Sequence, residues 1–151
     1  MIVIRQSVPG MTPASLARFL HRVRRELRLT GEVNLLVSDN REMQRLNRRF
    51  RGKNKTTDVL SFPASEGMDG RLAGDIAICA PIAAANAHYL GHSPAAEMKV
   101  LVLHGLLHLA GYDHEADQGE MASKEQALRK KLGLPLGLIA RSEARSMRGN
   151  R

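Results

Sequence analysis

Apolar positions along the chain switch between two periods, and each switch marks an element. Ile2, Val3 and Ile4 lie in a β-branched run, Met1 to Gln6, that reads as a first strand closed by the turn signal Pro9-Gly10. Thr12-Pro13 is an N-cap followed by proline at the first helical position. The helix it opens runs to about Leu27, because Leu16, Phe19, Leu20, Val23 and Leu27 recur at helical spacing and leave the arginines on the solvated side. Gly31 to Ser38 carries Val33, Leu35, Leu36 and Val37 and reads as a second strand. Asp39 then caps a helix reaching Phe50, with Met43, Leu46 and Phe50 predicted to face inward. Thr57 to Pro63 is a short strand placed at an edge by its proline, and Gly74 to Cys79 is a fourth. The stretch Ser65 to Arg71 between them has the size of an antiparallel hairpin loop.

The second half reads as helices. Pro81 to Tyr89 is short and alanine-rich. Ser93-Pro94 repeats the cap-then-proline signal, and from Met98 to Ala110 the helix is apolar nearly all round apart from Lys99 and two histidines. Such a helix is expected to be buried at the centre of a domain. Glu115 to Leu132 is amphipathic, with Met121, Leu128 and Leu132 inward, and Gly133 and Pro135 stop it. The remainder is basic and polar and reads as a mobile tail whose four arginines, Arg141, Arg145, Arg148 and Arg151, touch RNA non-specifically. The expected organisation is one domain over 1–136 and a basic tail over 137–151.

Chemistry concentrates in His104-Gly105-Leu106-Leu107-His108-Leu109-Ala110-Gly111-Tyr112-Asp113-His114, which holds three of the six histidines. His104 and His108 project from one helix face, and Gly111 lets the chain double back so that His114 reaches the same ion. Three imidazoles without a thiolate point to one zinc per chain with a fourth position left open, as in catalytic sites. The spacing is that of metzincin peptidases, whose motif places a glutamate after the first histidine; here Gly105 stands there, so a peptidase would need another carboxylate, such as Asp113. Asp113 is a candidate to orient an imidazole or accept a proton, and equally a turn residue. His88 and His92 share the four-residue spacing but flank a helix end at Gly91, a weaker arrangement. Cys79, the only cysteine, lies in an apolar run and reads as a core residue.

Charge narrows the partners. The formal net charge is +8, and from Arg41 to Lys55 seven cations face one carboxylate, Glu42. That balance favours a polyanion, RNA above all, with Arg51, Lys53 and Lys55 in a loop beyond the helix where ligand contacts gather. With no Trp, two Tyr and three Phe, phosphate contacts rather than base stacking carry the binding. No leader-like start and no run long enough to span a bilayer is present, so no membrane and a cytoplasmic address are expected.

The assembled motifs resemble the YbeY family of zinc endoribonucleases that mature ribosomal RNA. The resemblance rests on the histidine motif, on Leu46-Asn47-x-x-Phe50-Arg51-Gly52-Lys53 followed by Thr57-Asp58-Val59-Leu60-Ser61-Phe62-Pro63, and on Gly74-Asp75-Ile76. It departs at Phe50, where tyrosine is expected. It implies an α+β fold, a small mixed sheet packed against helices in a zincin-like arrangement. It also implies zinc at His104, His108 and His114, a phosphate-binding Arg51, and single-stranded RNA, in particular the 3′ end of small-subunit ribosomal RNA, as substrate, with no DNA. A non-catalytic RNA-binding assembly factor with a structural zinc is the other reading.

Overall fold

The computed structural model describes residues 1–64 and 71–149. The hairpin loop expected over Ser65 to Arg71 lies, apart from Arg71, outside the described residues, as does Arg151 of the expected tail. Four strands, β1 (Ile2–Ile4), β2 (Glu32–Ser38), β3 (Val59–Pro63) and β4 (Leu72–Cys79), form one sheet in the order β1-β2-β4-β3. β1 and β2 pair in parallel, as do β2 and β4, while β3 runs antiparallel to β4 at the edge. Pro63 ends β3 on that edge, where its missing N–H leaves no central ladder incomplete.

Helices α1 (Pro13–Leu27), α2 (Asn40–Arg51), α3 (Ala80–Leu90), α4 (Pro94–Leu109), α5 (Glu120–Leu132) and α6 (Leu138–Gly149) complete the α+β fold. The caps work as their residue types require. Thr12 accepts from Ser15 N–H, Asp39 from Glu42 N–H and Ser93 from Ala96 N–H. Alternation along the strands divides the core. Val33, Leu35, Val37, Ile76 and Ile78 face α1 and α4, whereas Leu60, Ala77 and Cys79 face Met43 of α2.

α4 is the buried axis of the larger core: Met98, Leu101, Leu103, Leu106 and Leu107 are sealed from solvent. Fully burying each leucine stabilises the fold by about 1.5–3 kcal/mol, so α4 is held far more firmly than propensity alone would hold it. Burial of Cys79 pushes its thiol pKa up, in keeping with an inert core residue.

Three sequence expectations need correcting. Phe50 does not face inward; it is 57% exposed and leans on Phe62 with ring centroids 5.2 Å apart. α5 begins at Glu120 rather than Glu115, because Asp113 and Asp117 accept from Glu115 and Gly119 N–H and shape the intervening residues into turns. The stretch read as a mobile tail is helical over Leu138–Gly149, with Ile139 and Arg141 buried. Arg141 donates to both carboxylate oxygens of Glu97 at 2.8 Å, so it is not a free RNA-touching cation. Among the described residues no helix is long and apolar enough to cross a membrane.

Candidate metal centre

His104 and His108 both sit on the last two turns of α4, and the helix that carries them cannot turn without breaking the core. Their rings meet edge to face with centroids 4.8 Å apart. Each Nδ1 has an acceptor: Glu125 Oε2 lies 2.8 Å from that of His104, and the Tyr112 carbonyl 3.1 Å from that of His108. A carbonyl oxygen and a carboxylate accept hydrogen bonds, so both Nδ1 atoms carry the proton and both Nε2 atoms present lone pairs. Those Nε2 atoms lie 3.2 Å apart. With both rings neutral, two lone pairs at that separation repel unless a cation lies between them. Tetrahedral zinc with Zn–N bonds of 2.0–2.1 Å requires a nitrogen separation of about 3.3 Å. The donor set therefore fits zinc in chemistry and in this distance, with the outer nitrogens hydrogen-bonded as metal-ligating histidines require. Burial, aided by the nearby His104, lowers the His108 pKa and favours the neutral ring a ligand needs.

His114 completes the group less tightly. It stands on an exposed turn after Gly111, whose φ of +97° reverses the chain as the sequence suggested. Its ring centroid is 6.4 Å from those of both other histidines, where three rings on one tetrahedral ion would stand about 5 Å apart. Among the described residues no three His, Cys, Asp or Glu side chains are already drawn to a common ligand distance. The Asp113 carboxylate is engaged in the turn, its Oδ1 accepting from Glu115 N–H at 3.1 Å. The two helical imidazoles are held by Glu125 and the Tyr112 carbonyl.

A cleft of about 240 Å³ opens over the imidazole pair, lined by His104, His108, Asn47, Arg51, Lys53, Lys55 and Ser61 among others. Arg51 is the last residue of α2 rather than a loop residue, and Gly52 ends the helix with φ +68°. Its Nη2 donates to the Ser61 carbonyl at 3.2 Å, which ties the guanidinium into the cleft that the histidines also line. Buried Asn47 donates to the Lys55 carbonyl at 2.9 Å and pins the basic loop to α2. Arg48 lines a different groove with Arg41, Arg45 and Asn54. The neighbouring Asp58 accepts from Val59 N–H at 2.8 Å, and burial raises its carboxyl pKa.

Gly105 now has a physical reason. A Cβ at this position would come within 3.0–3.1 Å of Ile76 and the Ser61 hydroxyl, since α4 presses directly on β3 and β4. The position where a metzincin keeps its glutamate is packed tightly against the sheet.

Two contributors escaped the sequence reading. Asn47 carried no signal of its own beyond its place in the matched motif. Glu125 did carry one: it falls between Met121 and Leu128 on the apolar stripe of α5, and a carboxylate on a buried face needs a partner.

Comparison with known proteins identifies the relatives of this chain. The family model described as Endoribonuclease YbeY matches residues 10–133. A Koribacter versatilis protein named Endoribonuclease YbeY is 51% identical over 142 residues, 94% of this chain and 91% of that protein. One of the same name from Solibacter usitatus is 41% identical, covering 95% of each. The solution structure of a Thermotoga maritima protein is similar with a TM-score of 0.59 at 33% identity, covering 84% of this chain and 85% of the other. On the extent of these matches, the chain belongs to the YbeY endoribonuclease family.

Proposed function

We propose that the chain is a zinc-dependent endoribonuclease that cuts single-stranded RNA. Its setting is maturation of the 3′ end of small-subunit ribosomal RNA and ribosome quality control in the cytoplasm. One observation carries the reading. Two imidazoles with facing Nε2 atoms 3.2 Å apart line the same cleft as Arg51, Lys53 and Lys55. The relatives bearing the name endoribonuclease support it, as does the excess of basic residues.

His104, His108 and His114 would hold the ion, with α4 serving as the metal-bearing helix of a zincin-like arrangement. Zinc bound there supplies a Lewis acid able to polarise a phosphoryl oxygen. Arg51 stabilises charge developing on the phosphate oxygens, because among the described residues its guanidinium spends one donor, on Ser61. Lys53 and Lys55 hold flanking phosphates without reading bases. A cleft this polar, with no Phe, Tyr or Trp among the described residues of its lining, suits an RNA backbone better than a peptide side chain. Gly105, standing where the metzincin motif has glutamate, also leaves peptide hydrolysis without its usual base.

The test is cleavage of end-labelled single-stranded and duplex RNA by protein stripped with chelator and then reloaded with zinc. Cleavage of the single strand only by the reloaded protein supports the reading. Equal cleavage by the stripped protein, digestion of casein, or binding without cleavage on a small-subunit precursor would each refute it.

A further inference from the structure

The C-terminal helix α6 lies beyond the residues the family model matches, yet its first turn touches the carboxylate behind His104. Glu125 is 2% exposed and divides its two oxygens: Oε2 takes His104 Nδ1 at 2.8 Å and Oε1 takes the Ile139 backbone N–H at 3.1 Å. Gly137 leaves the room this requires, since a Cβ there would collide with Oε1, Cδ and Cγ of Glu125. α6 is itself clasped to α4 by the paired hydrogen bonds from Arg141 to Glu97, which also meets His92 at 2.7 Å and accepts from Asn86 Nδ2 at 3.4 Å. Burial alone would raise the Glu97 pKa, but Arg141 and His92 outweigh it and keep the carboxylate ionised for the clasp.

We infer that Glu125 is a positioning residue for the metal centre and that α6 is the part that aims it: Ile139 N–H fixes one oxygen so that the other holds His104 with Nε2 directed into the cleft. The inference rests on the reading of His104 as a metal ligand. The acceptor count gives it a sharp form. A carboxylate offers both oxygens as acceptors, whereas a glutamine offers one oxygen and an amino group. Glu125→Gln can serve the His104 Nδ1–H or the Ile139 N–H, not both. With its oxygen on Ile139, the amino group donates to Nδ1 and drives the His104 proton to Nε2, the atom that must stay bare for zinc.

The experiment uses the full-length protein, with zinc affinity read by competition against a chromophoric chelator and the His104 tautomer read by long-range proton–nitrogen NMR without metal. Parent protein should carry its proton on Nδ1. Glu125→Gln should weaken zinc binding about tenfold to a hundredfold, as typical for loss of an outer partner, and move the proton toward Nε2. Gly137→Ala should weaken zinc similarly by displacing the carboxylate, although every proposed ligand is intact. Either variant that retains parental zinc affinity while losing only thermal stability would reduce Glu125 to a structural contact and overturn the inference. If the parent bound no zinc, the metal reading itself would fall, and the inference with it.

Discussion

Two histidine pairs in this chain share one spacing and do opposite things. His104 and His108 lie four residues apart on α4, and His88 and His92 lie four apart around the end of α3. In the first pair the helix continues through both residues, acceptors engage both Nδ1 atoms, and the Nε2 atoms face each other. In the second, Gly91 ends α3 with φ +79°, His88 is exposed, and His92 spends its Nε2 on Glu97. Spacing brings imidazoles together only where a helix runs unbroken, and what the remaining nitrogen meets decides whether a pair can take a metal. In the proposed function the first pair takes an ion, whereas the second ties helices together.

Breaking each pair should therefore have different consequences. The largest effect is expected for His104→Ala or His108→Ala, which should cut zinc affinity by more than about a hundredfold, beyond the loss typical of an outer partner. His92→Ala should leave zinc content unchanged and lower stability by about 1–3 kcal/mol through loss of a buried hydrogen bond to a carboxylate, as read by urea unfolding. Zinc loss in His92→Ala equal to that in His104→Ala would erase the distinction.

Gly105→Ala sharpens the contrast from the packing side. The first pair faces the cleft because α4 lies hard against the sheet, and an added methyl group has under 3.2 Å to its neighbours. Overpacking of this kind should cost about 1–3 kcal/mol in urea unfolding, with zinc affinity reduced as α4 is lifted from β3.

The pairs also separate by pH. The His108 pKa is lowered by burial and by His104, so the unfolded chain takes up its proton first as pH falls below about 6.5, the ordinary histidine value. Its contribution to metal-free stability is complete above that pH and is lost below it. Glu97 is also lowered on balance, so its contribution persists until pH falls below the ordinary carboxylate value near 4.5. Unfolding measured across pH should show two separate declines, and His108→Ala should remove only the upper one. Survival of that upper decline in His108→Ala would show that another group produces it.

The same contrast explains what was legible in the sequence. Periodic elements were, because α1, α2, α4 and the four strands bury faces that their own residues announce. The imidazole pair was legible because an unbroken helix converts spacing into geometry. Glu125 with His104 is a pairing across 21 residues, and Arg141 with Glu97 one across 44, so no local pattern reveals either. α6 was hidden for that reason: Gly133 and Pro135 read as chain release, and Arg141 read as an RNA-touching cation of the tail until its partner was seen. Phe50 misled in the opposite way, since its place on the helical stripe is real but the core beneath α2 closes on Met43 and Leu46.

The central claim is that the imidazole pair and Arg51 act on one phosphate across one cleft. Arg48 provides the control, being an exposed arginine three residues away that faces a separate groove. The decisive measurement is single-turnover cleavage of a short single-stranded RNA by zinc-loaded parent, Arg51→Ala, Arg51→Lys and Arg48→Ala, with zinc content checked in each. Arg51→Ala should keep its zinc and lose on the order of a hundredfold in rate, Arg51→Lys should recover part, and Arg48→Ala should change binding slightly and the rate hardly at all. Indistinguishable rates for Arg51→Ala and Arg48→Ala, at equal zinc content, would contradict the claim and leave Arg51 as one more cation of the basic surface.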